Sequence, residues 1–170
     1  MNIYLIWLFR IIHIVAGVFW VGGVLIMTFF IAPTVGATGE AGQKFVGHLM
    51  SNLKFSARMS AAAGLTILAG GILYWNDSAG FTSAWMQSGA GTGFGIGAGF
   101  ALIGFVFGIL LGRTMKAMAQ LGAQMQGKPS SDQMTQMQTL RKRQVNFSYL
   151  TALMLLLATT FMALARYFVF

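Results

Sequence analysis

The chain has 170 residues, of which 56% are hydrophobic and 8% charged, and its mean hydropathy is +0.71. So little polar surface cannot cover a water-soluble globule of this size, which indicates an integral membrane protein surrounded by lipid. The chain has no cysteine, which excludes disulfides, thiolate metal sites and thiol catalysis. A net charge of +8 would suggest nucleic acid in a soluble protein, but in a membrane protein its distribution reports topology, so no nucleic-acid partner is expected.

Four apolar segments are long enough to cross about 30 Å of hydrocarbon at a rise of about 1.5 Å per residue. They cover residues 3–32, 55–75, 93–111 and 147–168. The sequence therefore predicts an all-α fold, in which residues 1–170 form a single membrane domain built as a bundle of four transmembrane helices.

Lysine and arginine are concentrated on one side of this predicted bundle. The first and third connections, with the adjacent helix ends, contain Lys44, Lys54, Arg58, Arg113, Lys116, Lys128, Arg141, Lys142 and Arg143. The other side has only Arg10 and Arg166. By the positive-inside rule the basic connections face the cytoplasm, and both termini face the periplasmic side of a bacterial inner (plasma) membrane.

Helical periodicity continues beyond the membrane into both basic connections. It predicts cytosolic helical extensions over residues 40–54, where the second helix begins before the membrane, and over 112–146. Within the second extension, "GKPSSD" (127–132) is a helix breaker that makes a helical hairpin, with Ser131 as the N-cap of its second arm. Methionines form the apolar seam of this hairpin, with Cu(I) binding as the alternative. They are Met115, Met118, Met125, Met134 and Met137.

Two ionisable residues lie within the first predicted span. Trp7 is typical of a membrane interface, and His13 lies six residues deeper, or about 9 Å along a helix. Arg10, His13 and Gly17 follow at spacings of three and four, so they share a face that should point into the bundle. Ionisable residues inside a membrane indicate a functional site.

Haem is the ligand that this combination fits. Its iron accepts a histidine nitrogen, its ring packs well over a small residue, and its propionates need cations near water. His13, Gly17 and Arg10 supply these three elements, so the sequence predicts a b-type haem with His13 as the ligand of the iron.

The third and fourth segments offer further residues at the same depth. "GTGFGIGAG" (91–99), with Gly97 among its glycines, leaves room for a flat, bulky group. In the last segment Met162 lies four residues before Arg166 and shares its face, which suggests Met162 as sixth iron ligand and Arg166 as a second partner of the propionates.

Simpler interpretations exist for each of these residues. A buried histidine can instead bond a carbonyl or hydroxyl of a neighbouring helix, and a transmembrane methionine is usually packing material. Gly93, Gly97 and Ala101 form a small-x-x-x-small row that allows helices to approach closely without any cofactor.

The first and last segments resemble a known family. "LFRIIHIVAGVFWVGGVLIMTFFIAP" (8–33) is similar to the first helix of CopD-like membrane proteins, and "LRKRQVNFSYLTALMLLLATTFMALARYF" (140–168) is similar to the closing helix of small members. The resemblance implies a helical bundle with a link to copper or to haem, the latter through the HemJ-like proteins. Their first-helix histidine corresponds to His13, whereas their third-helix lysine has no match in residues 93–111.

Three functions follow as expectations. The first is a haem-b protein that transfers electrons near the outer face, with a quinone or a periplasmic cytochrome as partner. The second is a cofactor-free accessory or structural subunit of a larger membrane complex, and the third is a copper or small-solute permease. Whether the chain is an enzyme stays open, although its three acidic residues, Glu40, Asp77 and Asp132, offer no paired carboxylates within the membrane.

Overall fold

The structure is a computed structural model that describes residues 1–125 and 129–169. Within these ranges the fold is all-α, as predicted, and contains no strand. Its main helices are α1 (Ile3–Ile26), α2 (Ala32–Thr38), α3 (Glu40–Ser51), α4 (Phe55–Asp77), α5 (Gly89–Gln124) and α6 (Ser131–Leu164).

The prediction of four long apolar helices is confirmed. A π-helical turn at Met27–Ile31 joins α1 to α2, so that helix runs on from Ile3 to Thr38. This stretch, together with α4, α5 and α6, is long and apolar enough to cross a membrane.

The chain breaks between α3 and α4, where the sequence predicts one continuous helix. Lys54 adopts a left-handed conformation, with φ of 49° and ψ of 41°. A residue in this region cannot continue a right-handed helix, so α3 ends at Ser51 and α4 starts anew at Phe55.

The N-cap of α6 is Ser130, and the prediction of Ser131 is wrong. The Ser130 hydroxyl accepts a hydrogen bond from the Gln133 backbone N–H at 3.2 Å, and the Gln133 side chain accepts one from the Ser130 N–H at 2.9 Å. This reciprocal capping box requires a serine three residues before the glutamine, which only Ser130 provides. Gly127 and Lys128 of the predicted breaker lie outside the described residues.

The helices pack as two pairs, α1 with α4 and α5 with α6. The pairs meet in a core cluster formed by Trp20, Ala62, Ala63 and Leu155. The Trp20 ring also meets Phe105 of α5 edge to face, with 6.3 Å between ring centroids. Small alanine side chains on α4 leave the space that the large Trp20 ring fills.

Candidate functional site

His13 lies on the face of α1 that packs against α4. Its Nδ1 is 2.8 Å from the backbone carbonyl oxygen of Thr66, and its side chain is half-buried. Because a carbonyl oxygen only accepts, Nδ1 must be the protonated nitrogen that donates this hydrogen bond. Nε2 forms no hydrogen bond within residues 1–125 and 129–169. In the neutral ring Nε2 therefore keeps its lone pair.

Two residues of α4, Thr66 and Gly70, form the wall against which the His13 ring lies. A methyl carbon added at Gly70 would be 2.7 Å from Cε1 and 2.8 Å from Nδ1 of His13, so glycine is required for the ring to lie there. The Thr66 hydroxyl donates to the Ala62 carbonyl at 2.8 Å, which fixes its own side chain within the helix. His13 thus has one hydrogen-bond partner, the Thr66 carbonyl, and its ring packs closely against Gly70.

Gly17 also lies against α4, one turn beyond His13. A methyl carbon added there would be 3.5 Å from Cγ2 of Thr66, which is ordinary van der Waals contact. Thr66 therefore lies beside both His13 and Gly17. These two residues of the predicted shared face are turned toward α4, whereas Arg10 of that face is exposed.

Met162 and Gly97 are brought together, but on the other helix pair. A methyl carbon added at Gly97 would be 2.8 Å from Cγ of Met162 and 3.1 Å from the carbonyl oxygen of Ala158. The Met162 side chain therefore occupies the space beside Gly97. Close helix packing, one of the two interpretations of this glycine, describes the contact between α5 and α6.

Three other glycines of "GTGFGIGAG" differ in what lies beside them. A methyl carbon at Gly93 would be 2.8 Å from Cα of Ala165, so Gly93 lies in a tight contact with the residue that directly follows α6. At Gly95 it would be 3.1 Å from the Tyr74 hydroxyl, and at Gly99 it would meet nothing within 4 Å. Gly93 and Gly95 therefore lie in close contacts with neighbouring elements, whereas Gly99 does not.

Arg10 and Arg166 are both exposed. Neither forms an ion pair in the described part of the chain, where the one salt bridge joins Lys44 to Glu40 at 2.7 Å. Both guanidinium groups are therefore available to an anion. His48, the second histidine of the chain, is exposed on α3, in a different helix from His13.

The described residues contain no group of three or more His, Asp or Glu side chains arranged to hold a metal ion. Thr66 and Gly70, by contrast, are partners of His13 that sequence reasoning missed. Their spacing of four places them on one helix face. A glycine in an apolar segment is the signal that could have found Gly70, whereas the Thr66 carbonyl has no such signal.

Comparison of the chain with protein-family models, with curated proteins and with solved structures finds no match.

Proposed function

We propose that this protein is an integral membrane protein that binds b-type haem through Nε2 of His13. The hydrogen bond from His13 Nδ1 to the Thr66 carbonyl carries the proposal. Histidines that ligate metals generally donate their other ring N–H to a carbonyl or carboxylate, which fixes the tautomer and makes the free nitrogen a better ligand. When bound, the haem would supply a one-electron redox centre.

Met162 is proposed as the residue that would supply a second ligand to the haem iron. Trp20 of α1 and Leu155 of α6 belong to one core cluster. His13 precedes Trp20 by seven residues, and Met162 follows Leu155 by seven residues. Seven residues return to nearly the same helix face after about 10.5 Å, and α1 and α6 run in opposite directions, so the two side chains lie at one level of the bundle. Because Met162 packs beside Gly97, ligation would require its flexible side chain to leave that position.

Arg10 and Arg166 would hold the propionates. Arg10 precedes His13 by one turn of α1, and Arg166 lies four residues past Met162 in the 3-10 turn Ala165–Tyr167 that follows α6. Both cations are therefore on the terminal side of the two ligands. Both are exposed and without a carboxylate partner in the described ranges. Charge-assisted hydrogen bonds from guanidinium to carboxylate are short and directional, which would orient the ring.

The site would exchange electrons with a quinone or a periplasmic cytochrome. Both histidine and methionine would lie nearer the end of the bundle that holds the termini, and the positive-inside rule assigns this end to the periplasm of a bacterial inner membrane. An external redox partner would need the haem to lie a short distance from that surface.

A cofactor-free subunit of a larger membrane complex is the second candidate. It is favoured by the protein contacts at two glycines, since the His13 ring fills the space at Gly70 and the Met162 side chain fills that at Gly97. In this case His13 would serve as an interhelical hydrogen-bond donor, worth about 0.6 kcal/mol on average in membrane proteins.

Haem content distinguishes the two candidates. The full chain would be purified in mild detergent from cells supplied with a haem precursor, and haem would be measured per chain for the wild type and His13→Ala. We expect haem in the wild type and loss of it in His13→Ala. His48→Ala is the matched control, because it removes the other histidine from an exposed position on α3. Equal haem in the wild type and His13→Ala would refute the proposed ligand.

A further inference from the structure

The basic end of the bundle carries a run of cations on α6 that form no ion pair within residues 1–125 and 129–169. Residues 141–143 of α6 are all basic and exposed. The one ion pair in the described residues joins Lys44 to Glu40, and both of these lie on α3. Asp132, the acidic residue on α6, is nine residues before Arg141, or about 14 Å away along the helix. This cationic segment is therefore free to bind an anion.

The height of the segment matches that of lipid headgroups. Lys142 precedes Leu155 of the core cluster by 13 residues, which is about 20 Å along α6. Trp7 precedes Trp20 of the same cluster by 13 residues of α1, so Trp7 lies about 20 Å from the cluster, on the side opposite to Lys142. The hydrocarbon extends about 15 Å from the bilayer centre and the headgroups reach about 20–22 Å. With Trp7 at one interface, Lys142 lies at the headgroups of the other.

A shallow groove lies at this level. It is lined by Arg141, Lys142, Val145 and Asn146. Two cations, an amide and an aliphatic side chain thus line one depression. Guanidinium, ammonium and amide N–H groups are all donors to phosphate oxygens.

An exposed apolar stripe continues from this groove toward the bilayer centre. Val145, Tyr149 and Leu153 are 51%, 48% and 50% exposed, and their spacing of four places them on one face of α6. Tyr149 is braced by Phe29, with 5.6 Å between their ring centroids. A cationic groove that leads into an apolar stripe matches the two parts of a lipid, a charged headgroup and an acyl chain.

We propose that this face of α6 binds one anionic phospholipid. Arg141, Lys142 and Asn146 hold the phosphodiester headgroup, and one acyl chain lies along Val145 and Tyr149. An anionic lipid is favoured over an acidic protein segment because the stripe is apolar and continues into the depth of the hydrocarbon. The site is independent of His13 and of any haem.

Native mass spectrometry of the full-length, delipidated protein tests the proposal. Phosphatidylglycerol would be titrated against phosphatidylcholine with the same acyl chains. The test variant is Arg141→Gln with Lys142→Gln. Each cation that contacts the bound headgroup should contribute roughly fivefold to binding, so the two substitutions should weaken phosphatidylglycerol binding about 25-fold. Phosphatidylcholine binding should change less than about twofold.

The matched control is Arg113→Gln with Lys116→Gln. These exposed residues of α5 carry the same two charges. The control residues lie at the same height as the test residues. Phe107 of α5 stacks on Phe147 of α6 with 6.1 Å between ring centroids. Arg113 follows Phe107 by six residues, and Arg141 precedes Phe147 by six residues. We expect a loss below about threefold for the control.

Three results would overturn the proposal. One is equal binding of both lipids by the wild type. The second is an equal loss in the test and control variants, which would reveal a diffuse charge effect without a site on α6. The third is displacement of phosphatidylglycerol by an equal concentration of inorganic phosphate, which would show that the acyl chain adds nothing. Because the substituted residues are exposed, circular dichroism should show unchanged helix content in both variants.

Discussion

Replacing Gly70 by alanine perturbs the His13 site without changing the histidine. The new methyl carbon would be 2.7 Å from Cε1 and 2.8 Å from Nδ1, so the ring must move away from α4 and release the Thr66 carbonyl. Loss of an interhelical hydrogen bond in a membrane costs about 0.6–1.7 kcal/mol, and overpacking costs about 1–3 kcal/mol. Alanine also gains about 1 kcal/mol in helix propensity.

Gly71→Ala separates the gain in helix propensity from the displacement of His13, because a methyl carbon at Gly71 would meet nothing within 4 Å. Both variants gain the same helix propensity, whereas only Gly70→Ala displaces His13. We therefore expect Gly70→Ala to unfold with a free energy about 2–4 kcal/mol below that of Gly71→Ala. Unfolding would be followed by circular dichroism in mixed micelles titrated with sodium dodecyl sulfate. Coincident unfolding curves for the two variants would refute the contact between His13 and α4.

Three further substitutions test the packing around the site and the helix ends. Gly97→Val should lower the free energy of unfolding by about 1–3 kcal/mol through overpacking between α5 and α6, while Gly99→Val, which meets nothing within 4 Å, should not, as the same titration would show. Ser130→Ala should cost about 1 kcal/mol through loss of the capping box and speed hydrogen exchange in the first turn of α6, whereas Ser131→Ala should leave both nearly unchanged. Met162→Leu should change stability by less than about 1.5 kcal/mol but shift the absorption bands of bound haem; unchanged bands would exclude Met162 as a ligand.

Hydropathy predicted the four long helices because length and apolarity are properties of single segments. It could not predict which faces meet, since lipid tails are as apolar as the side chains of a neighbouring helix. Gly97 and Gly99 show this limit. They are two residues apart in the same glycine series, yet one lies against Met162 and the other has open space around it.

The partner of His13 was beyond sequence reasoning for a different reason. Every residue has a backbone carbonyl, so residue type cannot identify the Thr66 carbonyl as the partner. The hydrogen bond becomes apparent only once the register of α1 against α4 is known. The N-cap of α6 was, by contrast, predictable, because Ser130 and Gln133 have the spacing of a capping box. The left-handed Lys54 carries no such signal, since lysine has no special preference for that conformation.

The most direct test of haem ligation by His13 is a dithionite-reduced minus oxidised absorption spectrum of the purified, haem-supplied protein. The Nδ1 hydrogen bond to the Thr66 carbonyl leaves Nε2 as the ligand atom, so we expect a sharp α band in the wild type that is absent from His13→Ala. A featureless spectrum from well-folded wild-type protein would contradict the haem proposal and leave His13 as a hydrogen-bonding residue between α1 and α4.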